Sequence, residues 1–141
     1  MRYLLDTNVL SELVRPAPDA NVVAWVRAQR PLDLMLSVLT IGELEQGIAA
    51  LDDGHRRRTL LHWIRTELPR QLAGRILDID TETAAAWGSL SGKATRKGRT
   101  IPVIDGLLLA TALRHGLVMA THNSADFTGW GVSVVDPWNS V

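Results

Sequence analysis

Four carboxylates in this chain fall where chemistry could use them: Asp6, Glu43, Asp105 and Asp126. The first interrupts the stretch RYLLDTNVLSEL, in which an apolar run stops on Asp6 and is followed at once by Thr7 and Asn8. Carboxylates that converge on one pocket repel each other, and a divalent cation removes that cost. The donors are oxygens only, with no cysteine and no histidine pair at ligand spacing, which favours magnesium or manganese over zinc.

Each acid also has a structural reading. Asp6 stands at a strand-to-helix junction, where aspartate commonly caps the helix. Glu43 forms a capping box with Thr40 in the sequence TIGE. Asp105 lies beside Ile101, Val103, Ile104 and a run of leucines, and a carboxylate in apolar surroundings is costly unless paired or bound to a cation. Asp126, in NSADF, is an ordinary turn residue. The joint placement favours a site over four separate structural roles. The histidines do not compete: His55 and His62 fall on a helix that reads as exposed, and His115 closes a helix before Gly116. His122 alone falls near the pocket, and it reads as structural rather than as a ligand.

The elements that must position these acids follow from the hydrophobic pattern. Short apolar runs at Arg2–Leu5, Leu34–Ser37, Arg75–Ile79, Leu117–Ala120 and Val132–Val135 predict five strands. Helices are expected over Thr7–Leu13, Asp19–Ala28, Thr40–Leu51, Arg56–Leu72, Thr81–Arg96 and Ile104–Arg114, the last almost wholly apolar and therefore buried. Strands of four or five residues separated by helices imply an α/β fold, with a parallel sheet covered on both faces. In such a fold ligands gather at the carboxyl ends of the strands, near the point where strand order reverses. The four acids sit just beyond strand ends or at helix starts, on that edge.

Composition agrees with a compact globular chain. Its 141 residues suit one domain over residues 1–141, and an apolar fraction of 46% argues against disorder. The first apolar run breaks too early for a signal peptide, and none is long enough to span a bilayer, so a cytoplasmic protein is expected. Net charge is zero, so no global field advertises nucleic acid. Arginine nevertheless supplies 13 of the 15 basic residues, and its planar fork suits phosphate.

YLLDTNVLSEL, TIGELEQGI, IPVIDGLLLATALRHGL and MATHNSADF, in this order, resemble the PIN-domain ribonucleases, in particular the VapC- and FitB-like toxins of type II toxin–antitoxin pairs. The resemblance runs from Met1 to the closing VVDPWNS. It implies a three-layer PIN-like fold and a magnesium or manganese site that hydrolyses RNA phosphodiesters, leaving a 5′-phosphate and a 3′-hydroxyl. Mapped onto this chain, the catalytic acids are Asp6, Glu43 and Asp105, with Asp126 as the fourth, and Asp6 and Asp105 hold the metal. Thr7, Asn8, Thr121 and Asn123 are expected to orient the pocket through hydrogen bonds. The position between Thr121 and Asn123, often arginine in relatives, is His122 here, which leaves open the phosphate contact an arginine could make. The resemblance further implies a homodimer and a cognate antitoxin that blocks the pocket and carries the pair to operator DNA. The helical hairpin Thr40–Leu72 is a candidate for the dimer interface.

Arg15, Lys93, Arg96, Lys97 and Arg99 are candidate contacts for the RNA backbone, or else solvated helix ends. HRRR, at 55–58, reads as a solvated face. Trp25, Trp63, Trp87, Trp130 and Trp138 are scattered and suit the core or an interface, so selection by RNA shape is expected over base stacking. Two alternatives arise, of which the second is set aside. One is a catalytically silent PIN-fold module acting through its antitoxin–operator complex. The other, an aspartate-nucleophile phosphatase, needs a second aspartate two residues after the first, where this chain has Asn8.

Overall fold

The computed structural model describes residues 1–139, so residues 140 and 141 of the domain expected over 1–141 lie outside the described residues. Five parallel strands form one sheet in the order β3-β2-β1-β4-β5. They are β1 (Tyr3–Leu5), β2 (Leu34–Ser37), β3 (Ile76–Leu77), β4 (Val118–Ala120) and β5 (Val134–Val135). Leu4 pairs with Met35 of β2 on one side and with Met119 of β4 on the other.

The period-two alternation of a strand divides the core between two faces. Leu5 and Leu36 point to one, beneath α1 (Thr7–Leu13), α2 (Ala20–Ala28) and α3 (Val38–Ala49), with Val9, Val22 and Ile48 packed there. Leu4, Met35 and Met119 point to the other, under α6 (Thr81–Arg96) and α7 (Val103–His115), with Leu90, Leu108 and Leu109. This is the expected three-layer α/β arrangement. No helix among the described residues is long and apolar enough to cross a membrane.

Several boundaries depart from the sequence reading. The helix expected over 56–72 is α4 (His55–His62), a π turn (Trp63–Glu67) and α5 (Leu68–Gln71). Pro69 has no N–H to offer the carbonyl four residues back, and its ring crowds it. The turn widens, and Leu68 N–H donates instead to the Trp63 carbonyl. The outer strands β3 and β5 shrink to two residues each, and a short helix, α8 (Ser124–Phe127), follows β4.

The helix expected from Thr40 starts at Val38, capped by Ser37, whose Oγ accepts from Leu39 N at 3.0 Å. The Thr40–Glu43 capping box is therefore not formed: Thr40 is an interior residue of the helix, fully buried, with its hydroxyl unpartnered. The apolar helix α7 is buried at Gly106 and over Leu108–Ala112, with Leu107 half-buried; Val103 and Ile104 in its first turn and Leu113 near its end are exposed.

Candidate active site

Strand order reverses at β1, which has β2 on one side and β4 on the other. Beyond the carboxyl ends of β1 and β4, Asp6 and Thr121 lie side by side, because the register pairs Leu5 with Ala120. Asp6 N donates to the Ala120 carbonyl at 2.9 Å, which fixes where the carboxylate leaves the sheet.

Asp6 caps α1, and its Oδ1 accepts from Thr7 N at 2.8 Å. The capping role does not exhaust it. Oδ2 accepts from Thr121 Oγ1 at 2.7 Å and from Asn8 Nδ2 at 3.4 Å. Thr121 Oγ1 in turn accepts from Asn8 Nδ2 at 3.3 Å and from Asn123 N at 3.0 Å. Asn8 completes the network as its Oδ1 accepts from His122 N at 3.3 Å.

Glu43 arrives from α3, one helical turn after Leu39, whose N–H the Ser37 cap accepts. Instead of closing a capping box, its Oε1 accepts from Thr7 Oγ1 at 2.5 Å. Asp105 is in the first turn of α7, where the amino-terminal end of the helix favours a negative charge. The buried Leu108 and Leu109 hold α7 against the sheet, and at its far end Arg114 pairs with Asp80, the cap of α6, at 3.1 Å and with Glu82 in the first turn of α6 at 2.6 Å. Close packing matters there too. A Cβ on Gly106 would stand 3.0 Å from the Trp87 ring, so the first turn of α7 lies against that indole because residue 106 is glycine.

Asp6, Thr7, Asn8, Glu43, Asp105 and Asn123 line one open cleft of about 630 Å³, a size that suits a small ligand. Arg15 also lines it, tethered to Glu12 at 3.0 Å. Asp126, on the exposed face of α8, is not among its lining residues, yet it is near enough for its charge to act on Asp6 and Asp105. Lys93, Arg96, Lys97 and Arg99 are exposed at the end of α6 and just beyond, outside the cleft, with Arg99 stacked over Trp130 at 4.4 Å.

The cleft includes Ser11, Glu12 and Trp138, which sequence reasoning did not place there, and it is also lined by His122, which the sequence puts near the pocket. Ser11 and Glu12 stand one helical turn beyond Thr7 and Asn8, a spacing that could have found them. Glu12 is buried, and its Oε2 accepts from Asp19 N at 2.9 Å, tying α1 to the cap of α2.

Electrostatics sets the character of the cleft. Burial pushes the Asp6 carboxyl above its ordinary value, against the hydrogen bonds from Thr121 and Thr7, and the charges of Glu43 and Asp126 push the same way. Asp105 is raised by burial and then by the charges of Asp6, Asp126 and Glu43. Among the described residues none of the four acids is in an ion pair. Unpaired carboxylates, with Asp6 and Asp105 both raised, form a donor set suited to a hard cation. Among the described residues no three carboxylates or imidazoles stand close enough to ligate one ion together. One or two carboxylates with water filling the remaining positions is the manner in which magnesium is usually held.

Comparison with known proteins identifies the family to which this fold belongs. The family described as PIN domain matches residues 3–128. The chain is 38% identical to VapC ribonuclease Y4jK of Sinorhizobium fredii, with 96% of each chain covered. It is also 38% identical to Toxin FitB of Neisseria gonorrhoeae, covering 96% of this chain and 98% of that one. Among solved structures it resembles FitAB bound to an IR36 DNA fragment, with a TM-score of 0.92 and 35% identity over 99% of this chain and 97% of the other. Two short parallel strands that bring an aspartate and a threonine together, inside a match of this extent, place the chain in the PIN domain family.

Proposed function

We propose that this chain is a metal-dependent endoribonuclease, the toxin of a type II toxin–antitoxin pair. The observation that carries the reading is the convergence of Asp6, Glu43 and Asp105 on one cleft, with none of the three in an ion pair among the described residues. The ribonuclease and toxin named among its relatives support it at 38% identity over nearly the whole chain. The domain extends over residues 1–141 and acts in the cytoplasm.

Asp6 and Asp105 would hold magnesium or manganese. When bound, such an ion neutralises charge on the scissile phosphate and makes water a better nucleophile. The remaining work belongs to the side chains. Thr121, Thr7 and Asn8 hold the Asp6 carboxylate in one orientation. Glu43 is fixed through Oε1 by Thr7, which leaves Oε2 to accept a hydrogen bond from the attacking water. Asp126 acts from the rim through water. Water attacks phosphorus, the bond to the 3′-oxygen breaks, and the products carry a 5′-phosphate and a 3′-hydroxyl.

Arg15, at the cleft wall, contacts a flanking phosphate, and Lys93, Arg96, Lys97 and Arg99 meet the RNA farther along its backbone. A cognate antitoxin silences the homodimer by covering the cleft and carries it to operator DNA. A relative solved on a DNA fragment supports that arrangement.

The test is cleavage of a mixed pool of structured RNAs by antitoxin-free protein, with magnesium or manganese and then with EDTA. Metal-dependent cleavage that Asp105→Asn abolishes supports the nuclease. A folded wild type that neither binds metal nor cuts any RNA leaves a catalytically silent module acting through its partner.

A further inference from the structure

His122 and Trp138 have no part in the chemistry above, yet both line the acidic cleft. Their rings are stacked, with centroids 4.2 Å apart and planes 29° from parallel. The stack is held at both members. Trp138 packs on the core cluster that includes Leu5 and Val9, its N donates to Asp136 Oδ1 at 2.9 Å, and its carbonyl accepts from Asn21 Nδ2 at 2.9 Å. His122 is fixed by its backbone contact to Asn8, and its Nδ1 is 3.4 Å from Asp136. The imidazole is still 53% exposed. A flat ring with an indole behind it, anchored beside the site that would hold a phosphodiester, has the properties of a stacking platform.

We propose that His122, backed by Trp138, stacks against one base of a single-stranded RNA segment next to the scissile phosphate. The proposal takes its substrate class from the nuclease reading above. A base in a duplex cannot reach such a ring without leaving its own stack, so the platform selects loops, bulges or unpaired ends. Every base has a flat face, so it imposes little sequence preference. Sequence reasoning found no stacking platform because the two rings are brought together by the turns after β4 and β5, sixteen positions apart. The guanidinium of a partner protein could also lie on an imidazole. A base is favoured because the ring adjoins the cleft that would hold the phosphate.

The test is binding of a fluorescently labelled, unpaired ten-nucleotide RNA in EDTA, where no cleavage intervenes. His122 is exposed, so His122→Ala should fold normally; it weakens binding about tenfold, and His122→Phe, which keeps a flat ring, stays within about twofold of the wild type. Unchanged binding by His122→Ala overturns the proposal, as does no measurable binding by the wild type. His122→Phe as weak as His122→Ala also overturns it, because charge or hydrogen bonding would then carry the contact. If the variants lose a partner protein but bind RNA like the wild type, the platform serves that protein and the proposal fails. Cleavage assayed separately with magnesium keeps the two readings apart. Binding with the expected pattern but no cleavage sinks the nuclease alone, and cleavage with unaltered His122→Ala binding sinks the platform alone.

Discussion

Thr121 Oγ1 donates to Asp6 Oδ2 at 2.7 Å, joining the ends of two adjacent parallel strands that are 115 residues apart in sequence. Both residues are buried, so the hydroxyl supplies a hydrogen bond that solvent would otherwise make. It also opposes the rise in the Asp6 pKa that burial causes. The hydroxyl thus helps to keep the carboxylate ionised at the place where a cation would need it.

Thr121→Val removes that donor at nearly constant volume. The variant should lose about 1–3 kcal/mol of stability at pH 7, as a buried acceptor loses its partner. The loss should shrink in acid as Asp6 takes up a proton and the charge-assisted bond no longer counts. Magnesium affinity should fall about tenfold, the usual scale for a group that orients a ligand. Urea denaturation at two pH values, with calorimetric titration of magnesium, checks all three.

Asp105→Asn should abolish cleavage and yet stabilise the protein without metal. Burial and the charges of Glu43 and Asp126 raise the Asp6 pKa, and burial and the charges of Asp6, Asp126 and Glu43 raise that of Asp105. For an acid raised on folding, the favourable contribution is complete below the unfolded pKa and is lost as pH rises through the folded one. At pH 7 the ionised pair therefore burdens the fold, and the amide relieves it. The variant should melt about 2 °C above the wild type at pH 7 in EDTA, with the gap closing near pH 4. Magnesium should narrow the gap at pH 7 by stabilising the wild type more. A variant that melts below the wild type at pH 7 would count against repulsion in the cleft.

The start of α3 separates what the sequence disclosed from what it did not. Apolar runs located the strands, and the polar residues after them located the edge where Asp6, Glu43 and Asp105 meet. The cap was misplaced because Ser37 and Thr40 are both acceptable caps three residues apart, and the choice depends on where β2 stops. The π turn had a visible cause in Pro69, but a proline inside a helical pattern ends some helices, kinks others and widens one turn in others. The Thr7–Glu43 contact and the His122–Trp138 stack depend on packing between distant segments, which no local pattern encodes.

That misplacement yields a direct comparison. Ser37→Ala removes the real cap and should cost about 1 kcal/mol. Thr40→Val removes a buried hydroxyl that has no partner, so stability should hold or rise. A capping box at Thr40 requires the reverse order of the two variants, and thermal denaturation decides between them.

Thr7 connects the two acids that local sequence keeps apart. Its amide N donates to Asp6 and its hydroxyl to Glu43, so one residue at the first position of α1 sets both carboxylates. Thr7→Val keeps the amide and the β-branched shape but releases Glu43 Oε1. Asp6 should keep its position and magnesium affinity should change little, because the Asp6 contacts are intact. The cleavage rate should fall about 10- to 100-fold, the usual scale when a functional group loses the partner that orients it. Thr7→Ser restores the hydroxyl and should recover most of the rate. Loss of magnesium binding in Thr7→Val, or no recovery in Thr7→Ser, would show that the hydroxyl does something other than position Glu43. Single-turnover cleavage beside a magnesium titration separates the two roles.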